Sequence, residues 1–127
     1  MARFLIIDDD ETVGLTLGRM LALENHTVSR ALSAEAGLAL AAAERPDAII
    51  VDMRMPLMGG LEFLRHLRAD PDLQMLPVGI VTGDYFLSDD VMAELDRLGA
   101  HIRHKPVFIQ DLAALADELL GKGAPEA

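Results

Sequence analysis

Short apolar runs rich in Val and Ile alternate along this chain with stretches of helical periodicity, and that alternation restricts the fold more than any other feature. A strand that is apolar on both sides must be covered on both faces, and parallel strands joined by helices are the arrangement that covers it. Five strand and helix pairs can be counted. Strands are predicted at Arg3–Ile7, Thr27–Ala31, Asp47–Asp52, Pro77–Thr82 and Ala100–His104, with Gly79 an oddity inside the fourth. In the first helix Val13, Leu17, Met20 and Leu21 form one stripe. Ser33 is placed to cap the second helix, where Ala36, Leu40 and Ala43 share a face until Pro46 ends it. The third carries Phe63, Leu64 and Leu67 and gives out at Asp70-Pro71. Ser88 caps the fourth, with Val91, Leu95 and Leu98 inward and Gly99 as a left-handed stop. The last helix spans Phe108–Leu120 and sets Leu112, Leu115, Ala116 and Leu119 on one side.

A length of 127 residues suits one domain, predicted over 1–121, followed by a polar, flexible tail over 122–127. No apolar run approaches a membrane span, and the amino terminus has no secretory signal, so the expected compartment is the cytoplasm. The absence of cysteine removes disulfides, thiolate metal sites and thiol nucleophiles. With 21 acidic against 11 basic residues the net charge is −10, which repels a nucleic-acid backbone.

In open α/β sheets ligands bind beyond the carboxyl ends of the strands. Those ends carry Asp8, Asp9 and Asp10 after the first strand, Asp52 at the end of the third, Thr82 at the end of the fourth and Lys105-Pro106 after the fifth. Carboxylates brought together repel one another, which raises some of their pKa values or calls for a cation, and oxygen ligands with room for water suit Mg²⁺. A hydroxyl and an ammonium facing the same point lack a partner that a phosphoryl group would supply. Asp52 is then the natural nucleophile. Asp10 and Glu11, by contrast, are as well explained as cap and dipole partners of the helix that follows them.

Phe-Leu-Ile-Ile-Asp8-Asp9-Asp10, Ile49-Ile50-Val51-Asp52-Met53-Arg54-Met55-Pro56, Val81-Thr82-Gly83 and His104-Lys105-Pro106 together resemble the receiver domains of two-component response regulators, those of the chemotaxis-regulator type included. The resemblance reaches to about Leu120 and implies a flavodoxin-like, doubly wound five-stranded parallel sheet in the order 2-1-3-4-5, with five helices. It implies that Asp52 accepts a phosphoryl group, and that Asp8, Asp9, Asp52 and the backbone carbonyl of Arg54 hold Mg²⁺, with Mn²⁺ as an alternative ion. Thr82 and Lys105 would bind the phosphoryl oxygens, and Gly83 would leave them room. Such a chain is no enzyme beyond its own phosphorylation and dephosphorylation. The implied donor is a sensor histidine kinase or a phosphotransfer protein. The implied output is a downstream protein target or an output domain outside this chain, reached through the surface of the fourth helix, fifth strand and fifth helix, where such domains also dimerise.

Three departures from the family pattern stand out. Ile102 occupies the position of the usual aromatic switch residue, so coupling to Thr82 is expected to pass through Tyr85 or Phe86 in the loop after it. The interval from Gly99 to Lys105 is one residue short, which predicts local irregularity in the fifth strand. Gly59-Gly60 replaces the frequent Asp-Gly and is expected to loosen the turn. Arg54 and Asp84, each two residues beyond a central site residue, are expected to face each other across the mouth and to modulate the lifetime of the phosphorylated form. A rival reading is a phosphatase of the haloacid dehalogenase type, with Asp8 as nucleophile and Asp10 as acid/base in Asp8-Asp9-Asp10-Glu11-Thr12. Another is a degenerate receiver that acts only as an interaction module. A flavin or nucleotide binder lacks the Gly-rich loop that such a site needs.

Overall fold

The computed structural model describes residues 1–121, so the predicted tail at 122–127 lies outside the described residues. Five strands, β1 (Arg3–Ile7), β2 (Thr27–Ala31), β3 (Ala48–Asp52), β4 (Val78–Thr82) and β5 (Ala100–His104), alternate with five helices. The helices are α1 (Glu11–Leu23), α2 (Ala34–Glu44), α3 (Gly60–Ala69), α4 (Asp89–Arg97) and α5 (Ile109–Leu119). All pairings are parallel and the strand order is β2-β1-β3-β4-β5, the doubly wound, flavodoxin-like topology expected. β3 and β4 are buried at every position, as central strands covered on both faces must be. β4 starts one residue later than predicted because Pro77 has no N–H to give to the ladder.

Alternate residues of the strands feed two cores. Leu5, Ile7, Ile49, Val51 and Ile80 pack against Phe63, Leu64 and Leu67 of α3 and Leu95 of α4. Phe4, Ile6, Ile50 and Val81 pack against Leu17 and Leu21 of α1 and Leu112, Leu115 and Leu119 of α5. Each such side chain contributes about 1.5–3 kcal/mol by leaving water. Gly79, the anomaly inside β4, is explained by α5, since a Cβ there would lie 3.2 Å from both Leu115 and Leu119.

The caps follow the sequence closely. Asp10 accepts the N–H groups of Thr12 and Val13 at 3.0 and 3.3 Å, Ser33 that of Ala36 at 3.1 Å, and Ser88 that of Val91 at 3.2 Å. Gly99 has φ +77, as a left-handed stop requires.

Two expectations need correction. On α2 the expected face holds only at Leu40, which is half-buried against the core; Ala36 and Ala43 are exposed, and the buried positions are Ala34, Gly37 and Ala41. In so alanine-rich a helix the side chains differ too little to mark a face, and the close approach of Gly37 to Ile7 fixes the rotation instead. Nor is β5 irregular: it pairs with β4 residue for residue from Val78↔Ala100 to Thr82↔His104. Gly99 turns the chain directly from the end of α4 into Ala100, the first residue of the strand.

Candidate functional site

Because the strands are parallel, their carboxyl ends meet on one edge of the sheet. Asp8 follows β1 immediately, Asp52 and Thr82 are the last residues of β3 and β4, and Lys105 follows β5. Lys105 N–H donates to the Thr82 carbonyl at 2.8 Å, which locks the ends of β4 and β5 together. Gly60 lets α3 begin hard against the end of β3, since a Cβ would fall 2.8 Å from the Asp52 carbonyl oxygen. Gly59 is as confined, 2.7 Å from the carbonyl oxygen of Met53. The glycine pair therefore makes a tight turn, contrary to the looseness expected of it.

Carboxylate oxygens of Asp8, Asp9 and Asp52 lie within 4.8 Å of one another. Asp8 and Asp52 are only 4% and 8% exposed, so their charges are largely withdrawn from water. Asp8 accepts the Asp10 N–H at 2.9 Å on one oxygen and faces Lys105 Nζ at 3.5 Å with the other. Lys105 Nζ also stands 3.3 Å from Asp52 Oδ1. Burial pushes the Asp52 pKa up; Lys105 works against this, but Asp8 and Asp9 add to it and the balance stays upward. For Lys105, burial opposes the charged form, yet Asp52 and Asp8 outweigh it and hold its pKa above the usual lysine value. The ammonium therefore stays charged while the site retains a surplus of negative charge. Three hard oxygen donors with one exposed side fit a small divalent cation such as Mg²⁺.

Thr82 is fully buried, and its hydroxyl oxygen accepts the Asp84 N–H at 3.0 Å. A Cβ at Gly83 would meet nothing within 4 Å, so the space beside it is open. Arg54 pairs with Asp84 across the mouth, as the spacing predicts. The Phe86 N–H and then the Arg54 guanidinium hold the Asp84 carboxyl below its usual pKa. Tyr85 and Phe86 part company: the Tyr85 ring stacks on His104 and its hydroxyl donates to the Lys105 carbonyl, whereas Phe86 is 93% exposed. Ile102 is half-buried and packs with the core on the α3 side of the sheet. His104, marked in the sequence only as the neighbour of Lys105-Pro106, takes part as the ring on which Tyr85 stacks, a role that a histidine at a strand end does not signal. Asp10 is engaged by its capping bonds to α1, and Asp89 and Asp90 open α4 rather than ending a strand. The carboxylate set of a haloacid dehalogenase is therefore not assembled among the described residues.

Comparison with known proteins agrees with this geometry. The family model of the response regulator receiver domain matches residues 4–117. Response regulator MprA of Mycolicibacterium vanbaalenii is 35% identical over 124 residues, covering 98% of this chain and 52% of the relative. MprA of Mycobacterium avium is equally similar, covering 98% and 53%. The chain thus spans about half the length of the curated relatives it matches. Among solved structures, chemotaxis protein CheY4 of Vibrio cholerae superposes with a TM-score of 0.85 at 27% identity, covering 94% of this chain and 99% of that one. A response regulator receiver domain protein from Clostridium thermocellum gives 0.84 at 28% identity, covering 95% of both chains. In sequence and in strand order, the chain belongs to the response regulator receiver domain family.

Proposed function

We propose that this domain is a phosphoryl-accepting switch in which Asp52 is the acceptor. The observation that carries the reading is the position of Lys105 Nζ, 3.3 Å from Asp52 and 3.5 Å from Asp8 at the edge of a three-carboxylate cluster. An ammonium there neutralises part of the charge of an incoming phosphoryl group and leaves one Asp52 oxygen for attack. The Asp52 oxygen forms the new O–P bond as the N–P bond of a phosphohistidine breaks, and the imidazole leaves with the proton on its other ring nitrogen. Asp8, Asp9, Asp52 and the backbone carbonyl of Arg54 would hold Mg²⁺, or Mn²⁺ in its place. When bound, the ion supplies positive charge to the transferring oxygens.

Thr82 is the second contact to the phosphoryl group. Its hydroxyl proton is free to be donated, while its oxygen is held by the Asp84 N–H, so turning toward Asp52 disturbs the loop at 83–88 that leads into α4. That displacement alters the surface of α4, β5 and α5, through which a target protein, an output domain or a second copy is engaged. The donor is a sensor histidine kinase or a phosphotransfer protein, and the domain turns over nothing but its own aspartyl phosphate. Among the described residues no helix is long and apolar enough to cross a membrane, which accords with work in the cytoplasm.

Incubation with Mg²⁺ and acetyl phosphate, followed by mass spectrometry, tests the reading. The label is expected on Asp52 and is expected to be lost in Asp52→Asn and without the divalent ion. A label on Asp8 would instead support the dehalogenase-type phosphatase, and no label at all would leave an interaction module.

A further inference from the structure

Lys105 is held through its backbone as well as through its charge. Its N–H donates to the Thr82 carbonyl at 2.8 Å, and its own carbonyl accepts the Tyr85 hydroxyl. Both backbone groups of the lysine are therefore clamped by one stretch of chain, Thr82 to Tyr85. The Tyr85 ring lies nearly flat on His104, with centroids 4.6 Å apart and planes 16° from parallel, so the residue before Lys105 is fixed by the same side chain.

The other end of this stretch bears on Thr82. The Asp84 N–H occupies the Thr82 hydroxyl oxygen at 3.0 Å, and Tyr85 is the next residue. Drawing the Thr82 hydroxyl toward a new partner bears on its bond to the Asp84 N–H, one residue before Tyr85, so the change falls on the segment that carries Tyr85.

We propose that Tyr85 is a positioning residue for phosphoryl transfer: its hydroxyl fixes the Lys105 backbone so that the ammonium stays at Asp52, and its hold changes when Thr82 is drawn to the phosphoryl group. The inference rests on Asp52 being the acceptor. Tyr85 touches none of the reacting atoms and acts through Lys105. It brings an aromatic ring to the end of β5 from the loop after β4, whereas Ile102 within β5 offers none. The side chain is 59% exposed, so its removal leaves the core intact.

The chain contains one tyrosine and no tryptophan, so its ultraviolet emission reports Tyr85 alone. With Mg²⁺ and acetyl phosphate, emission is expected to change in step with the phosphorylated fraction measured by mass. Tyr85→Phe keeps the ring and deletes the hydroxyl. It is expected to slow phosphorylation about two- to tenfold, the range of a single hydrogen bond, with the fold retained and the melting temperature lowered by no more than a few degrees. In a Lys105→Arg background the same change is expected to cost less, as two residues acting through one contact should. Wild-type rates in Tyr85→Phe, a loss as large in the Lys105→Arg background, or constant emission in phosphorylated protein would each overturn the proposal while leaving Asp52 as acceptor. Absence of label on Asp52 in the unaltered chain would overturn the reading beneath it as well, and mass alone separates the two failures.

Discussion

Arg54 donates from two guanidinium nitrogens to the same carboxylate oxygen of Asp84, so that the residue two beyond Asp52 is tied to the residue two beyond Thr82. The pair spans the mouth of the site from the loop after β3 to the loop after β4. The other Asp84 oxygen accepts the Phe86 N–H at 2.8 Å, which leaves the carboxylate little freedom to swing away. If Asp52 carries an aspartyl phosphate, this bridge lies across one side of the approach open to water. Asp84→Ala is therefore expected to speed dephosphorylation about two- to fivefold, within the modest strength of an exposed ion pair, with little change in melting temperature. Decay followed by mass spectrometry after removal of phosphodonor checks this, and an unchanged half-life counts against the bridge.

The surplus of negative charge around Asp52 has a consequence for stability. Burial raises its pKa, Lys105 opposes the rise, and Asp8 and Asp9 reinforce it. A carboxyl whose pKa is higher folded than unfolded contributes stability that is complete below the unfolded value and is lost as pH climbs through the folded one. The unfolded reference is 3.8, so at neutral pH ionised Asp52 strains the fold. Asp52→Asn is expected to be more stable at neutral pH by roughly 1 kcal/mol, a few degrees in Tm. The advantage should shrink as pH is lowered toward 3.8, and Mg²⁺ should narrow it from the other side by stabilising the unaltered chain. Thermal melts across pH, with and without the ion, read both effects; a lower neutral-pH Tm in Asp52→Asn would contradict the electrostatic account.

Much of this arrangement is legible in the amino-acid sequence. Strand boundaries are readable because Ile, Val and Leu runs end abruptly in Asp8, Asp52 and Thr82. Caps are readable because Asp10, Ser33 and Ser88 each stand just ahead of a helical pattern. Arg54 and Asp84 are readable as a pair once β3 and β4 are taken as neighbours, since each stands two residues beyond a strand end. Three features are hidden. The orientation of α2 depends on a single close approach, between Gly37 and Ile7, to which an alanine-rich pattern is blind. The regularity of β5 is set by its pairing with β4, which a count of residues between Gly99 and Lys105 does not reveal. The choice between Tyr85 and Phe86 depends on which ring reaches His104, and that is a property of the loop backbone.

Gly37 therefore invites a direct test. A Cβ there would fall 2.3 Å from Cδ1 and 2.8 Å from Cγ1 of Ile7, a side chain with no exposed surface. Gly→Ala inside a helix ordinarily gains about 1 kcal/mol. Overpacking a filled core costs about 1–3 kcal/mol, so a net loss near 1 kcal/mol is expected for Gly37→Ala. Ile7→Val removes the nearer methyl and is expected to recover part of that loss when combined with it, as a double-mutant cycle by denaturant unfolding would reveal. A Gly37→Ala chain more stable than the parent would show that α2 can shift away from β1 freely.

Leu57 makes the opposite case, of a side chain in a backbone conformation that suits it poorly. Its φ is +71, in the left-handed region, and the side chain is 97% exposed in the loop between Asp52 and α3. An L-residue with a Cβ loses roughly 1–2 kcal/mol in that region, and the exposed leucine has no packing to offset it. Glycine removes the steric cost while adding about 0.5–1 kcal/mol of unfolded-chain entropy to be lost. Leu57→Gly is accordingly expected to raise stability by about 0.5–1 kcal/mol in urea unfolding, at an unchanged m-value because no buried surface is touched. The Met58 N–H bonds the Pro56 carbonyl across Leu57 at 2.8 Å, so the tight turn persists whichever residue occupies its centre. A destabilised Leu57→Gly chain would mean that the leucine side chain restrains this loop by a contact stronger than its exposure suggests.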